Sequence, residues 1–185
     1  MIDLLFRITC APGRDRVLVC PPTYGMYGVC AQINDVGVVK VPLDVEGGKF
    51  QPKVDEVSGV GEEVRRYAGS EADILPLTLV QINRTLSEAA NSANPIKLVF
   101  LCSPGNPTGV AIPLDQIRQV LANPDFEGLV VVDEAYIDFA PEGATAVRLL
   151  IEEGWSNLVV MQTLSKGFGL AAIRYVPLHL PHIPS

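Results

Sequence analysis

Short runs rich in valine and leucine recur along this 185-residue chain with almost no polar residue in alternate positions. Val17-Leu18-Val19-Cys20, Val36 to Val41, Lys97 to Cys102, Leu129 to Val132 and Leu158 to Met161 each read as a strand. A strand with one wet face alternates apolar and polar residues, so runs without alternation predict strands buried on both faces. Between them lie stretches with helical spacing: Tyr24 to Asn34, Pro113 to Leu121, with proline in its first turn, and Ala144 to Glu153. Strand–helix–strand order predicts an α/β fold, a mostly parallel sheet flanked by helices. Ligands of such sheets bind beyond the carboxyl ends of the strands.

Composition narrows the partners. Hydrophobic residues make up 48% of the chain, too many for a disordered one. The net charge is −7 and the longest basic cluster is Arg65-Arg66, which argues against nucleic acid and anionic membrane surfaces. No apolar run reaches membrane-span length, and the first ten residues lack the basic start and cleavage site of a signal peptide. The four cysteines have no CxxC spacing and no histidine nearby, so buried free thiols in a reducing compartment are expected rather than a metal site. These features predict a cytoplasmic, soluble chain. Trp155 reads as packing, and His179 and His182 lack the acidic or cysteine neighbours of a metal site.

The polar clusters sit just after the strands. Pro22-Thr23-Tyr24 places a phenol at a strand-to-helix turn, and Ser103 to Gly109 (Ser-Pro-Gly-Asn-Pro-Thr-Gly) is a rigid turn projecting the Asn106 amide. Asp133-Glu134-Ala135-Tyr136 ends an apolar strand with a carboxylate, and a phenol follows three residues on. Thr163-Leu164-Ser165-Lys166-Gly167 supplies two hydroxyls and an amine, and Arg174 follows. Each alone has a plain structural explanation: a turn, a helix cap, a solvated charge, a packed ring. Together they meet the needs of pyridoxal phosphate. That cofactor needs an amine for its aldehyde and a carboxylate for its ring nitrogen. It also needs donors to its ring oxygen, a flat side chain on its ring, and hydroxyls with a cation for its phosphate.

Ser-Pro-Gly-Asn-Pro-Thr-Gly, Val-Val-Asp-Glu-Ala-Tyr-Ile-Asp-Phe and Thr-Leu-Ser-Lys-Gly-Phe-Gly-Leu-Ala-Ala-Ile-Arg resemble the signatures of fold type I pyridoxal-phosphate aminotransferases. Pro-Pro-Thr-Tyr-Gly-Met-Tyr and Asp-Glu-Ala-Tyr-Ile-Asp-Phe are most similar to the histidinol-phosphate aminotransferases among them. The resemblance implies that Lys166 binds the cofactor covalently and then shuttles a proton, helped by a desolvated pocket that lowers its pKa. It implies that Asp133 pairs with the ring nitrogen, that Asn106 and Tyr136 hydrogen-bond the ring oxygen, and that Tyr24 stacks on the ring. Thr163, Ser165 and Arg174 would bind the cofactor phosphate. The implied reaction moves an amino group between L-histidinol phosphate and 2-oxoglutarate, giving glutamate, in histidine biosynthesis. The implied assembly is a homodimer. Another fold type I enzyme, an amino-acid-phosphate decarboxylase or an aromatic aminotransferase, stays open, as does a non-catalytic remnant.

The resemblance runs from Ile2 to about Arg174, which predicts a partial cofactor-binding large domain over residues 1–174. Ile2-Asp3-Leu4-Leu5 resembles the stretch that follows a phosphate-gripping Gly-Ser-Asp-Glu loop in the family. The small C-terminal domain is expected to be missing, with residues 175–185 a tail outside the family pattern that lacks a strand or helix. Residues 57–81 read as an irregular insert. Val57-Ser58 and Gln81 are codable by common splice signals, as is Arg174-Tyr175-Val176. Insert and tail are thus expected to be translated intron, or the insert a genuine surface loop.

Overall fold

A computed structural model of the chain describes residues 1–43, 77–173 and 178–179. The central sheet contains β1 (Arg16–Val19), β2 (Gly37–Lys40), β3 (Ile96–Cys102), β4 (Leu129–Glu134), β5 (Leu158–Gln162) and β6 (Leu178–His179). Their spatial order is β2-β1-β3-β4-β5-β6. The first five run parallel, and β6 pairs antiparallel to β5 through Val160↔His179 and Met161↔Leu178. The tail expected to lack a strand therefore contributes a two-residue one. Most of the irregular segment expected at 57–81 lies outside the described residues, but Leu77 to Gln81 open a regular helix that continues to Ala90.

The helices are α1 (Ile2–Thr9), α2 (Met26–Ile33), α3 (Leu77–Ala90), α4 (Leu114–Leu121) and the short α5 (Leu164–Gly167). They cover the sheet from both sides, and the pleat sorts the strand residues between them. Val17, Val19, Leu98, Phe100, Val131, Val159 and Met161 face α1 and α2, packing on Leu5, Phe6, Tyr27 and Ala31. Their neighbours Leu18, Val99, Leu101, Val130, Val132, Leu158 and Val160 face the opposite layer, with Leu79, Ile82 and Leu86 of α3 and Ile117 and Val120 of α4. Fully burying each such side chain contributes about 1.5–3 kcal/mol. The unalternated runs are thus explained by helices on both faces. The outermost strand β2 is the exception, because Gly37, Val38 and Lys40 are exposed.

Two helical expectations are adjusted. Pro113 is the N-cap of α4, one position before the first turn, with ψ of 139°. The stretch expected as a helix over 144–153 is helical from Val147 on. Leu149–Glu153 form a π-helical turn closed by Gly154 in the left-handed region at φ 70°. Trp155 is partly buried against the core beside it, with Nε1 donating to Glu153 Oε2 at 2.8 Å. All four thiols are free; three are buried and Cys102 is half-buried. Among the described residues no helix is long and apolar enough to cross a membrane.

Candidate active site

The chain lays β2 beside one edge of β1 and β3 beside the other, so the connections after β1 and β3 diverge at the carboxyl ends of these strands. A crevice forms at such a reversal because no crossover covers it. There the structure has a cavity of about 520 Å³. Tyr24 lines it from the turn before α2, Asn106 from the turn after β3, and Asp133 and Tyr136 from the end of β4. Thr163, Ser165 and Lys166 line it from the turn after β5. Seven residues picked from sequence thus share one cavity, and the eighth, Arg174, lies outside the described residues.

The turns after β3 and β5 are held by local backbone and hydroxyl hydrogen bonds. After β3, Gly105 N–H donates to Val110 O at 3.0 Å and Gly109 N–H to Gly105 O at 2.8 Å. Gly109 has φ of +69°, which favours glycine there. Ser103 Oγ, buried, accepts from Ile112 N–H at 2.9 Å and closes the loop that carries Asn106. After β5, Thr163 caps α5: its Oγ1 accepts from Ser165 N–H at 3.2 Å and donates to Ser165 Oγ at 2.9 Å. The two hydroxyls expected to bind phosphate are therefore already bonded to each other, leaving acceptor capacity on both and the Ser165 proton free to turn.

Asp133 lines the cavity as a buried carboxyl, 7% exposed. Burial pushes its carboxyl above the usual range, and hydrogen bonds from Tyr27 and from the Ala135 N–H pull it back. Tyr27 Oη donates to Asp133 Oδ2 at 2.7 Å, and Ala135 N–H to Oδ1 at 3.3 Å. Those bonds use two of about four lone-pair positions, and no described cation pairs with the carboxylate. The site therefore has spare acceptor capacity on a desolvated anion, which suits a protonated ring nitrogen.

Lys166 is exposed, and its Nζ stands 5.5 Å from the centre of the Tyr136 ring, within cation–π range. The desolvated setting expected for this amine is not what the described residues provide. Tyr24, 39% exposed, meets Tyr27 edge-on at 5.7 Å. Among the described residues no cluster of three metal-ligating side chains occurs.

Three participants were missed in the sequence. Tyr27 is fully buried, stacked on Phe100 at 4.5 Å between centroids. Its signal was the spacing from Tyr24, one helical turn on. Cys102 also lines the cavity, with burial raising its thiol pKa. Glu134, 1% exposed, points to the other side of the sheet. It accepts from Thr145 Oγ1 at 2.8 Å, Ala146 N–H at 2.5 Å and Gln162 Nε2 at 2.8 Å. It thereby ties the end of β4 to the strand that leads into Lys166.

A twisted parallel sheet with turns of this kind along one edge defines an α/β enzyme scaffold of the aminotransferase type. The family model for aminotransferase class I and II matches residues 1–60 and 55–175, and the chain belongs to that family. Histidinol-phosphate aminotransferases of Schizosaccharomyces pombe and Saccharomyces cerevisiae are 43% and 44% identical to it over 174 and 173 residues. Each alignment covers 94% of this chain and 36% of the relative, so the chain spans little more than a third of those proteins. Among solved structures, histidinol-phosphate aminotransferase from Clostridium acetobutylicum superposes with a TM-score of 0.65 at 19% identity, covering 95% of this chain and 40% of that one. A pyridoxal-phosphate-bound C-S lyase from Staphylococcus hominis gives 0.69 at 17%, covering 98% and 39%. At these identities the superpositions establish the shared fold, a parallel sheet flanked by helices as in fold type I pyridoxal-phosphate enzymes.

Proposed function

We propose that the chain is the cofactor-binding platform of a pyridoxal-phosphate-dependent aminotransferase that acts on L-histidinol phosphate and 2-oxoglutarate in histidine biosynthesis. The observation that supports it is the convergence of four strand-end turns on one cavity with the buried Asp133 carboxylate in its wall. The identity with histidinol-phosphate aminotransferases supports the substrate pair. When bound, pyridoxal phosphate supplies an aldehyde that captures the substrate amine and a protonated ring that takes up the electron pair released at the substrate's Cα.

The chain's own residues do the rest. Asp133 would hold the proton on the ring nitrogen. Asn106 and Tyr136 would hydrogen-bond the ring oxygen, and Tyr24 would pack on the ring. Thr163, Ser165 and Arg174 would hold the phosphate. Lys166 would anchor the cofactor and then carry the proton to and from the substrate's Cα. The wall of the cavity also includes Met1, Ile2 and Met26 of the α1–α2 layer, where Leu4, Ile8, Val29 and Ile33 leave apolar surface exposed. That surface suits a second subunit, and a homodimer in the cytoplasm is the assembly this reading implies.

The purified 185-residue chain tests the proposal by titration with pyridoxal phosphate, borohydride reduction and peptide mass mapping. The expected result is a visible band distinct from free cofactor and a mass increment on Lys166, both lost in Lys166→Ala. A spectrum of free cofactor only, with no labelled lysine, points instead to a non-catalytic remnant. Bleaching of the bound band by L-histidinol phosphate, but not by aromatic amino acids or amino-acid phosphates that decarboxylate, separates the substrate classes.

A further inference from the structure

The Tyr27–Asp133 contact joins residues 106 positions apart and places an O–H donor on the carboxylate. Tyr27 has little freedom to do anything else. Its ring is fully buried and stacked on Phe100 at 4.5 Å with 14° between planes, and Phe100 in turn stacks with Phe6 at 5.7 Å. Tyr24 meets the same ring at 5.7 Å and nearly at right angles. Burial and the neighbouring Asp133 carboxylate push the phenol far above its usual range, so Tyr27 stays protonated and acts only as a donor toward that carboxylate.

We infer that Tyr27 is a positioning residue: its hydroxyl holds Asp133 ionised and fixes one carboxylate oxygen, so that the other acceptor positions face the cavity. The inference rests on the cofactor reading for its consequence, namely that Tyr27 sets how firmly the cofactor ring is held. A carboxylate this buried would otherwise take up a proton. As a neutral acid it has lost the charge that matches a protonated ring. The charge-assisted bond from Tyr27 opposes that loss from within the core, on the side away from solvent. Among the described residues, the other titratable groups around the cavity are the Met1 amine, Asp3, Tyr24, Cys30, Cys102, Tyr136 and Lys166. Of these, only Cys102 reaches both members of the pair, and its thiol is kept protonated by burial.

The test compares wild type with Tyr27→Phe, which keeps the ring stack and removes only the hydroxyl. In the protein without cofactor, aspartate labelled with ¹³C at Cγ reports the Asp133 titration, and Asp133→Asn assigns its signal. Expected in Tyr27→Phe is an upward shift of that titration by about one pH unit, a tenfold change in proton affinity. Pyridoxal phosphate, titrated by absorbance, should bind about tenfold more weakly. Urea unfolding of the same variant checks that the fold is intact, and a residue acting only in packing would change the unfolding midpoint without moving the Asp133 signal. An Asp133 titration that coincides with wild type overturns the inference. If the titration shifts while wild type itself fails to bind pyridoxal phosphate, Tyr27 keeps its role toward Asp133 and the cofactor reading falls.

Discussion

Replacing Glu134 by leucine should cost more stability than most changes in the hydrophobic core. Leucine has a similar volume and excludes water, so the donors that face Glu134 lose their acceptor without gaining a solvent substitute. Ala146 N–H is buried and its hydrogen bond runs to Glu134 Oε1, so it forfeits about 1–3 kcal/mol as an unsatisfied buried donor. Thr145 Oγ1 and Gln162 Nε2 both lose a charged partner, though they are less buried and recover part of the loss in water. The sum is about 3–5 kcal/mol, a large share of a typical folding free energy of about 5–15 kcal/mol. At a slope of about 2 kcal/mol per molar of urea, the unfolding midpoint should fall by about 1.5–2.5 M. The single tryptophan, Trp155, lies at the entrance to β5 and reports this transition by fluorescence. Glu134→Gln should behave differently. Its carbonyl can accept from Ala146 while its amide donates to Thr145 and to a flipped Gln162, so its loss should stay within about 1–2 kcal/mol. A Glu134→Leu midpoint within about 0.5 M of wild type would refute the reasoning, as would a glutamine variant as damaged as the leucine one.

Asp133→Asn should stabilise the cofactor-free protein at neutral pH while removing cofactor binding, because it deletes a charge that burial disfavours. The sign follows from the raised carboxyl: the folded state binds its proton more tightly than the unfolded chain, so this group's contribution to stability falls as pH rises through the folded pKa. The urea midpoint of wild type minus that of Asp133→Asn should therefore decrease from acid to neutral pH; a difference that rises would contradict the burial argument. Gly128→Ala should lose about 1–3 kcal/mol, since an added Cβ would stand 2.6 Å from the Lys97 carbonyl oxygen and 2.6 Å from the Phe126 ring. Gly25→Ala, with no atom within 4 Å of its added Cβ, should stay within about 0.5 kcal/mol, and equal losses for the two would show that the space around Gly128 is not the cause.

The sheet was readable because burial on both faces leaves a composition signal inside each strand: Val130, Val131 and Val132 face alternate layers and are all apolar. The turns were readable because chemistry restricts their residues. What escaped depends on distant contacts. Tyr27 looks like any apolar residue of α2, and only the fold brings its hydroxyl to Asp133. Glu134 looks like a solvated acid at a strand end until Ala146 and Gln162 arrive from later in the chain. The start of α3 was hidden because Leu77 to Gln81 adjoin a stretch without clear period. The π-helical geometry of Leu149–Glu153 was hidden because it extends a helix whose apolar spacing the sequence already showed. The exposure of Lys166 belongs to the same class, since a sequence records which neighbours are adjacent in the chain and not which ones shield a side chain.

Asp133 and Glu134 are consecutive carboxylates that the pleat sends to opposite layers, one toward Tyr27 and the cavity, the other toward Ala146. Their duties are assigned by parity alone. Removing or adding one residue within β4 would exchange them, handing the ligand-facing place to the structural acid and burying the other against the wrong helices. The strand should therefore accept many changes of apolar side chain yet tolerate no change in its length, and a scan of single-residue deletions along Leu129 to Val132 should abolish folding throughout.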